Sequence, residues 1–233
     1  MTGAANENSE ADEITLGGAA LVVDPAGALY WPGENLLVVA DMHLEKGSSF
    51  ARHGVFLPPY DTATTLARLG EVITRYQPRA VFALGDSFHD GDGPARLCAG
   101  DREKLTALQR GRDWIWIAGN HDPDPATGIG GSFSATLSVG PLVFRHEPSG
   151  GEAEIAGHLH PVARVNARGR SLSRRCFASD GQRLVMPAFG AYTGGLNVRA
   201  PAFAEVFATL AFTAHMLGTM RIFTIAADRC LPD

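Results

Sequence analysis

Short runs of apolar and β-branched residues recur along the chain, and many are bounded by glycine or proline. Runs of this length between turn-forming residues predict β-strands, several of them buried on both faces. The predicted strands are Ala19–Val23, Leu36–Ala40, Ala80–Leu84, Trp114–Ala118, Leu142–Arg145, Glu154–Ala156, Val162–Val165 and Leu184–Met186.

Other stretches carry apolar residues at helical spacing. In Asp61–Tyr76 they fall on one face, and Asp61 is placed to cap the first turn. A second helix is predicted over Asp101–Arg110. Ala200–Met220 is also apolar, but proline, glutamate, histidine and glycine interrupt it. We therefore expect a core helix followed by a strand there, and no membrane span.

The order of these elements predicts a mixed α/β protein. Strand and helix alternate in the first half, which favours parallel pairing, whereas strands follow at short intervals in the second half, as in hairpins. With 233 residues, 45 % of them hydrophobic, one domain can bury a sizeable core. We expect a disordered tail over residues 1–16, which lacks a secretory signal pattern, and one domain over residues 17–233.

Charge and cysteine content narrow the possible functions. A net charge of −5 argues against a protein that neutralises nucleic-acid phosphates over a broad basic face. A polynucleotide would have to be held locally, near the reaction centre. The three cysteines form no CxxC pair, which is typical of idle thiols in a reducing cytoplasm. We expect a cytoplasmic protein.

Polar motifs follow five of the predicted strands. Each taken alone has an ordinary explanation, such as a turn or a hydrogen-bonded histidine. Together they supply carboxylate, imidazole and amide groups at strand ends, which are typical metal ligands. The motifs are Asp41-Met42-His43, Gly85-Asp86, Gly119-Asn120-His121-Asp122, the single His146, and Gly157-His158-Leu159-His160.

This order of motifs resembles the complete signature of the calcineurin-like metallophosphoesterases. The resemblance implies a four-layer αββα sandwich, with two mixed sheets flanked by helices. It assigns Asp41, His43 and His160 to one metal ion. It assigns Asn120, His146 and His158 to a second, and it makes Asp86 the carboxylate that bridges both.

The resemblance also implies a reaction. Two divalent ions, two carboxylates and a bridging hydroxide sum to a charge near +1, which suits an anionic phosphate. The metal-bridging hydroxide would attack phosphorus. His121 would stand beside the leaving group, with Asp122 holding its ring. The ligands suit Mn, Fe, Zn or Ni, and the family favours Mn²⁺.

Longer stretches are similar to the DNA-ligase-associated metallophosphoesterases. They are Asp41-Met-His-Leu-Glu-Lys-Gly-Ser-Ser-Phe, Leu57-Pro-Pro-Tyr-Asp, Gly85-Asp-Ser-Phe-His-Asp, Gly119-Asn-His-Asp-Pro and Pro187-Ala-Phe-Gly-Ala-Tyr-Thr-Gly-Gly-Leu. This similarity implies a bacterial phosphodiesterase or endonuclease in DNA repair, acting on DNA ends or single strands. It also implies a functional link to an ATP-dependent DNA ligase, a helicase and an exonuclease. Protein phosphatases carry Asp and Arg where His89 and Asp90 stand here, which argues against that class.

Further residues have two interpretations each. His89 either contacts the substrate or is a hydrogen-bonded loop histidine. Lys46, Arg52 and His53 are either phosphate contacts or solvated loop residues. Met186–Leu196 either lines the rim of the cleft or closes the sheet. For the whole chain, the alternatives are a small-molecule or cyclic-nucleotide phosphoesterase and a non-catalytic scaffold in a repair complex.

Overall fold

A computed structural model of the protein describes residues 12–124, 128–167 and 169–233. Residues 1–11 of the predicted tail lie outside the described residues. Its last five residues, Asp12–Leu16, form strand β1, which pairs antiparallel with β2 (Ala19–Val23). The first strand therefore begins before the predicted boundary at residue 17, because Leu16 is fully buried in the core that β2 also lines.

Seven strands form the first sheet in the order in which they follow along the chain. After β1 and β2 come β3 (Leu29–Trp31), β4 (Leu36–Ala40), β5 (Ala80–Leu84), β6 (Asp113–Ile117) and β7 (Ser132–Ser134). Pairing is antiparallel from β1 to β4 and parallel from β4 to β7. The parallel part brings the carboxyl ends of β4, β5 and β6 to one edge.

Nine strands form the second sheet. They are β8 (Leu137–Val139), β9 (Leu142–Arg145), β10 (Glu154–Ala156), β11 (Pro161–Ala167), β12 (Arg170–Ser179), β13 (Arg183–Val185), β14 (Leu196–Asn197), β15 (Thr213–Leu217) and β16 (Ile222–Ala226). Antiparallel pairs dominate, as the short intervals predict, but β10 is parallel to both β9 and β13, and β11 is parallel to β14. The described residues also form five α-helices: α1 (Lys46–Arg52), α2 (Asp61–Tyr76), α3 (Gly93–Arg96), α4 (Ala99–Gln109) and α5 (Pro201–Phe207).

The two sheets pack face to face, with helices on both outer faces. Alternate residues of a strand point to opposite faces, so Val38 of β4 packs between the sheets and Val39 packs under α2 and α4. On the far side, α5 covers the second sheet through Phe203. The fold is the predicted four-layer αββα sandwich of two mixed sheets flanked by helices.

The predicted C-terminal elements form, whereas the predicted helix cap does not. The apolar stretch near the end of the chain forms α5 and β15, as expected, and no helix in the described part of the chain is long and apolar enough to span a bilayer. Helix α2 has its predicted bounds, but Asp61 does not cap it. Its carboxylate accepts a hydrogen bond from the Gly47 backbone N–H (2.9 Å) and so ties α1 to α2.

Candidate metal centre

The polar motifs meet where the carboxyl ends of strands from both sheets face one another. Asp41, Asp86 and Asn120 follow β4, β5 and β6 of the first sheet. His146 and His158 follow the parallel strands β9 and β10 of the second sheet. The two sheets are joined here directly, because the Asp41 carboxylate accepts the backbone N–H of His158 (3.0 Å).

Backbone conformation at these strand ends is unusual. Five of the seven predicted ligands have positive φ angles: Asp41 (52°), His43 (43°), Asp86 (45°), His158 (69°) and His160 (45°). Residues other than glycine rarely adopt this backbone region, and such strain persists only where the surrounding structure enforces it. Its concentration in one site is typical of functional geometry.

Two glycines are required by close packing at the same edge. Gly85 has a φ of +66°, and a Cβ there would lie 2.4 Å from the His146 ring. A Cβ on Gly119 would lie 2.1 Å from the backbone nitrogen of Asp86 and 2.3 Å from its Oδ1. The Gly-Asp and Gly-Asn-His-Asp motifs therefore need glycine so that neighbouring ligands can approach.

The first group of candidate ligands comprises Asp41, His43 and His160. The Nε2 atoms of the two histidines lie 3.4 Å apart, and His160 Nε2 lies 3.2 Å from Asp41 Oδ1. The three side chains offer ligand atoms within 4.8 Å of one another. The structure brings together the three residues predicted for one metal ion.

The second group comprises Asn120, His146 and His158. Asn120 Oδ1 lies 2.9 Å from His146 Nε2 and 3.0 Å from His158 Nδ1. His146 Nδ1–H donates to the Leu84 carbonyl (3.1 Å), so Nε2 is the ring nitrogen directed into the site. This arrangement matches the predicted second group.

Asp86 lies between the two groups. Its Oδ1 is 3.4 Å from His146 Nε2, and its Oδ2 is 3.7 Å from His43 Nε2. One carboxylate thus presents a separate oxygen to each group, and it is only 3 % exposed.

The donor chemistry of the site fits divalent cations. Imidazole nitrogens, carboxylate oxygens and an amide oxygen converge, and most of their facing atoms are lone-pair acceptors. A Lewis acid satisfies such a set, whereas hydrogen bonds among the members satisfy it only in part. The ligands are of the mixed nitrogen and oxygen type that suits Mn, Fe or Zn.

Electrostatics within the centre favour positive charge beside Asp86. Burial opposes ionisation of Asp86, but its hydrogen bond and Coulomb attraction to His146 outweigh this and lower its pKa to about 2. Burial likewise opposes charge on His146, yet Asp86 and Asp41 raise its pKa to about 9. Burial lowers the pKa of His43 to about 3, against the opposing effect of Asp86. The carboxylate stays ionised and attracts cations.

His121 lies at the open side of the centre. Its backbone N–H donates to Asp86 Oδ1 (2.9 Å), and its Nε2 lies 3.9 Å from Asp86 Oδ2. Its Nδ1–H donates to the His89 carbonyl (2.8 Å). With 39 % of its side chain exposed, its ring can reach a bound molecule.

Asp122 has a different role from the predicted one. The family resemblance implies that Asp122 holds the ring of His121, but that ring is hydrogen-bonded to the His89 carbonyl. Asp122 Oδ2 instead accepts the backbone N–H groups of Ser87 (2.8 Å) and Phe88 (3.1 Å). Burial raises the pKa of Asp122 to about 6. Asp122 therefore fixes the backbone that follows Asp86.

Some candidate substrate-binding residues lie at the centre and others are engaged elsewhere. His89 belongs to the centre, because its ring stacks on His121 (5.1 Å between centroids) and its Nδ1 lies 3.5 Å from His43 Nδ1. Lys46 borders the centre. The pKa of His89 is lowered first by the burial of His89 and second by the positive charge of Lys46. Arg52 instead forms an exposed ion pair with Asp92 (2.8 Å).

His53 is also engaged elsewhere. Its Nδ1 lies 3.0 Å from the Ser49 carbonyl, within the last turns of α1. The structure therefore brings His89 and Lys46 to the centre and occupies Arg52 and His53 with local partners.

Sequence analysis did not identify one supporting residue, Arg175. Within Met186–Leu196, the Phe189 N–H donates to the Ala40 carbonyl (2.8 Å) and the Gly190 N–H to the Asp41 carbonyl (3.1 Å). Arg175 donates to the carbonyls of Ala188 (2.7 Å) and Gly190 (3.1 Å) and holds this segment in place. The buried part of the segment closes against the sheet behind Asp41. No pattern in the polar stretch around Arg175 indicates this role.

Two packed mixed sheets with carboxylates and imidazoles at their facing strand ends define a metal-dependent phosphoesterase. The chain belongs to the calcineurin-like phosphoesterase family, whose sequence model matches residues 35–171. Membership implies divalent metal ions, and this range contains all seven candidate ligands.

A solved structure extends the likeness beyond that range. The protein is similar to the crystal structure of Pseudomonas putida nuclease MPE, with 27 % sequence identity and a TM-score of 0.70. The similarity covers 92 % of this chain and 100 % of that chain. No curated protein matches this chain.

Proposed function

We propose that this protein is a dinuclear-metal phosphodiesterase, and specifically a nuclease associated with DNA repair. The observation that carries the proposal is the position of Asp86, with one oxygen facing each group of ligands. A carboxylate placed in this way suits two ions held side by side. Manganese is the proposed metal, because the ligands lack thiolate and the resembled family favours it.

Each group would hold one ion. Asp41, His43 and His160 would hold the first, and Asn120, His146 and His158 the second, with Asp86 shared. When bound, a pair of divalent ions would lower the pKa of a bound water and place positive charge beside the phosphoryl oxygens.

The protein's own contribution to proton transfer falls to His121. Because Nδ1–H is fixed by the His89 carbonyl, Nε2 is the atom free to exchange a proton. In its protonated form, Nε2–H can donate to the leaving oxygen of the substrate. The exposed position of the ring gives that oxygen access.

The proposed substrate is DNA, as ends or single strands. The solved structure that is matched over its whole length by 92 % of this chain is described as a nuclease, and the sequence resembles DNA-ligase-associated enzymes. Work alongside a ligase, a helicase and an exonuclease is part of this proposal. The net charge of −5 disfavours tight binding of long duplexes.

The test compares hydrolysis of bis-p-nitrophenyl phosphate and p-nitrophenyl phosphate with added Mn²⁺. We expect the diester to be cleaved faster. Asp86→Asn should lower the rate by about 10³-fold or more, and His121→Ala by about 10²-fold. Asp113→Asn is the matched control, because Asp113 lies at the opposite end of β6 and pairs with Arg79. It should retain wild-type rates.

The same preparations are then given single-stranded and nicked DNA. Cleavage that is lost in Asp86→Asn supports the nuclease. Diester hydrolysis without DNA cleavage would favour the small-molecule or cyclic-nucleotide phosphoesterase. No hydrolysis with any divalent metal would leave the non-catalytic scaffold as the better account.

A further inference from the structure

The loop between α1 and α2 exposes apolar side chains. Phe56 is 85 % exposed, Tyr60 64 % and Val55 50 %. Six large apolar residues are exposed in the described part of the chain, and three of them fall within residues 55–60. Clustered exposed aromatics of this kind mark binding surfaces more often than isolated ones do.

This loop is fastened to the centre at both ends. The Val55 N–H donates to the Phe50 carbonyl (3.0 Å), and the Phe50 ring lies 5.4 Å from the ring of His89. At the other end, Thr62 donates to the buried carboxylate of Glu45 (3.0 Å), two residues after His43. The exposed aromatics are therefore connected to the centre through short, packed segments.

The loop is suited to hold its aromatic side chains in place. Pro58 and Pro59 restrict the backbone between Phe56 and Tyr60, and the Tyr60 N–H donates to the Pro58 carbonyl (2.9 Å). Restriction of this kind reduces the entropy lost when a ligand stacks on the rings.

Charges near the loop are compatible with a polyanion. Lys46 lies in the first turn of α1, with its Nζ 5.8 Å from the Phe50 ring. Two nearby carboxylates are paired with arginines, since Arg96 binds Asp90 (2.7 Å) and Arg52 binds Asp92 (2.8 Å). The other two, on Glu45 and Asp61, are buried. An anionic strand next to the loop therefore meets one cation and two compensated acids.

We propose that Phe56 and Tyr60 form a stacking platform for nucleobases of the strand whose phosphate is cleaved at the metal centre. The inference rests on the proposed function, because it takes a polynucleotide as the substrate. Stacking needs only the π-face that every base has, so the platform can hold a strand without reading its sequence. It also explains how an acidic protein can bind a polynucleotide locally.

The experiment uses Phe56→Ala, Tyr60→Ala and the double variant with full-length protein and Mn²⁺. On a single-stranded oligonucleotide, each single variant should raise KM about tenfold, and the double variant should raise it further. A strand of the same length built from abasic residues should show no such increase, because it has nothing to stack. Phe56→Trp should retain the wild-type KM.

Two controls separate this proposal from the proposed function. Hydrolysis of bis-p-nitrophenyl phosphate should be unchanged in all platform variants, because this diester is too small to span centre and loop. Met220→Ala removes an equally exposed side chain (84 %) from the turn between β15 and β16 and should leave the KM for DNA unchanged.

Three results would overturn the platform while leaving the diesterase intact. They are an unchanged KM for DNA in the double variant, an equal loss on the abasic strand, and a wild type that cleaves the small diester but no DNA. Dissociation of an oligomer in the double variant, seen by light scattering, would reassign the loop to contact between copies of the chain. A wild type that does not hydrolyse the small diester would instead contradict the proposed function.

Discussion

The two groups of candidate ligands differ in charge although they share Asp86. The first contains the carboxylate of Asp41, whereas the second has the neutral amide of Asn120 in the corresponding role. With Asp86 shared, the first group would therefore place two carboxylates near its proposed ion and the second group would place one. Because divalent affinity rises with the number of charged ligands, we expect the first group to bind more tightly. Two ligand groups built at similar strand ends can thus differ in their affinity for metal ions.

After removal of the Asp86 carboxylate itself, displacement of that carboxylate should have the largest effect. Gly119→Ala places a Cβ 2.1 Å from the backbone nitrogen of Asp86, so Asp86 or the loop after β6 must move. We expect a loss of activity of about 10²-fold or more and a loss of unfolding free energy of about 3 kcal/mol. Rates and thermal unfolding measure both.

A second glycine provides the control for that substitution. Gly100 lies in α4, and a Cβ there would meet nothing within 4 Å. Gly100→Ala should retain activity and raise the unfolding free energy by about 0.5–1 kcal/mol, because alanine is the better helix former. Equal behaviour of the two variants would show that the close approach at Gly119 does not matter.

The charge difference between the two groups can be tested by changing it. Calorimetric titration with Mn²⁺ should show two binding steps in the wild type. Asn120→Asp should strengthen the weaker step by about tenfold, and Asp41→Asn should weaken the tighter step by at least as much. The opposite order, with the tighter step responding to Asn120, would show that charge does not rank the groups.

A smaller effect is expected at the border of the centre and depends on pH. Burial opposes ionisation of Asp90, but its hydrogen bonds to Arg96 and Ser49 outweigh this and lower its pKa to about 2. A carboxylate with a lowered pKa stabilises the folded state above its unfolded pKa, and this stability is lost as pH falls towards 2. Arg96→Gln should therefore cost about 1 kcal/mol at pH 7, after allowance for solvent screening.

Denaturant unfolding at several pH values checks this prediction. The difference between Arg96→Gln and the wild type should be constant from pH 7 to pH 5 and should shrink below about pH 4. A difference that persists at low pH would assign the effect to packing of the arginine and not to its ion pair.

Sequence predicts some parts of this structure better than others. Strands β4 and β5 have their predicted bounds because every residue is apolar and buried on both faces. Strand β12 was missed because its first half, Arg170–Arg175, is polar and mostly exposed, so it has no apolar run to signal it. Local pattern determines the first case, and pairing with distant strands determines the second.

The site shows the same division. The convergence of its candidate ligands could be predicted because each motif ends a strand and the order of the motifs resembles a known family signature; that these residues bind metal stays a prediction. The partners of Asp122 and the support from Arg175 depend on contacts between segments far apart in sequence, which no spacing rule provides. The location of Phe50 against His89 is of this kind too.

The central claim is that Asp86 joins two metal sites, and metal content tests it most directly. Wild-type protein and Asp86→Asn would be loaded with Mn²⁺, dialysed and analysed for bound metal, with Asp113→Asn as the control. We predict two ions per chain in the wild type and the control, and fewer than one in Asp86→Asn, with loss of diester hydrolysis in parallel. One ion per chain in the wild type, or two in Asp86→Asn, would contradict a centre bridged by Asp86.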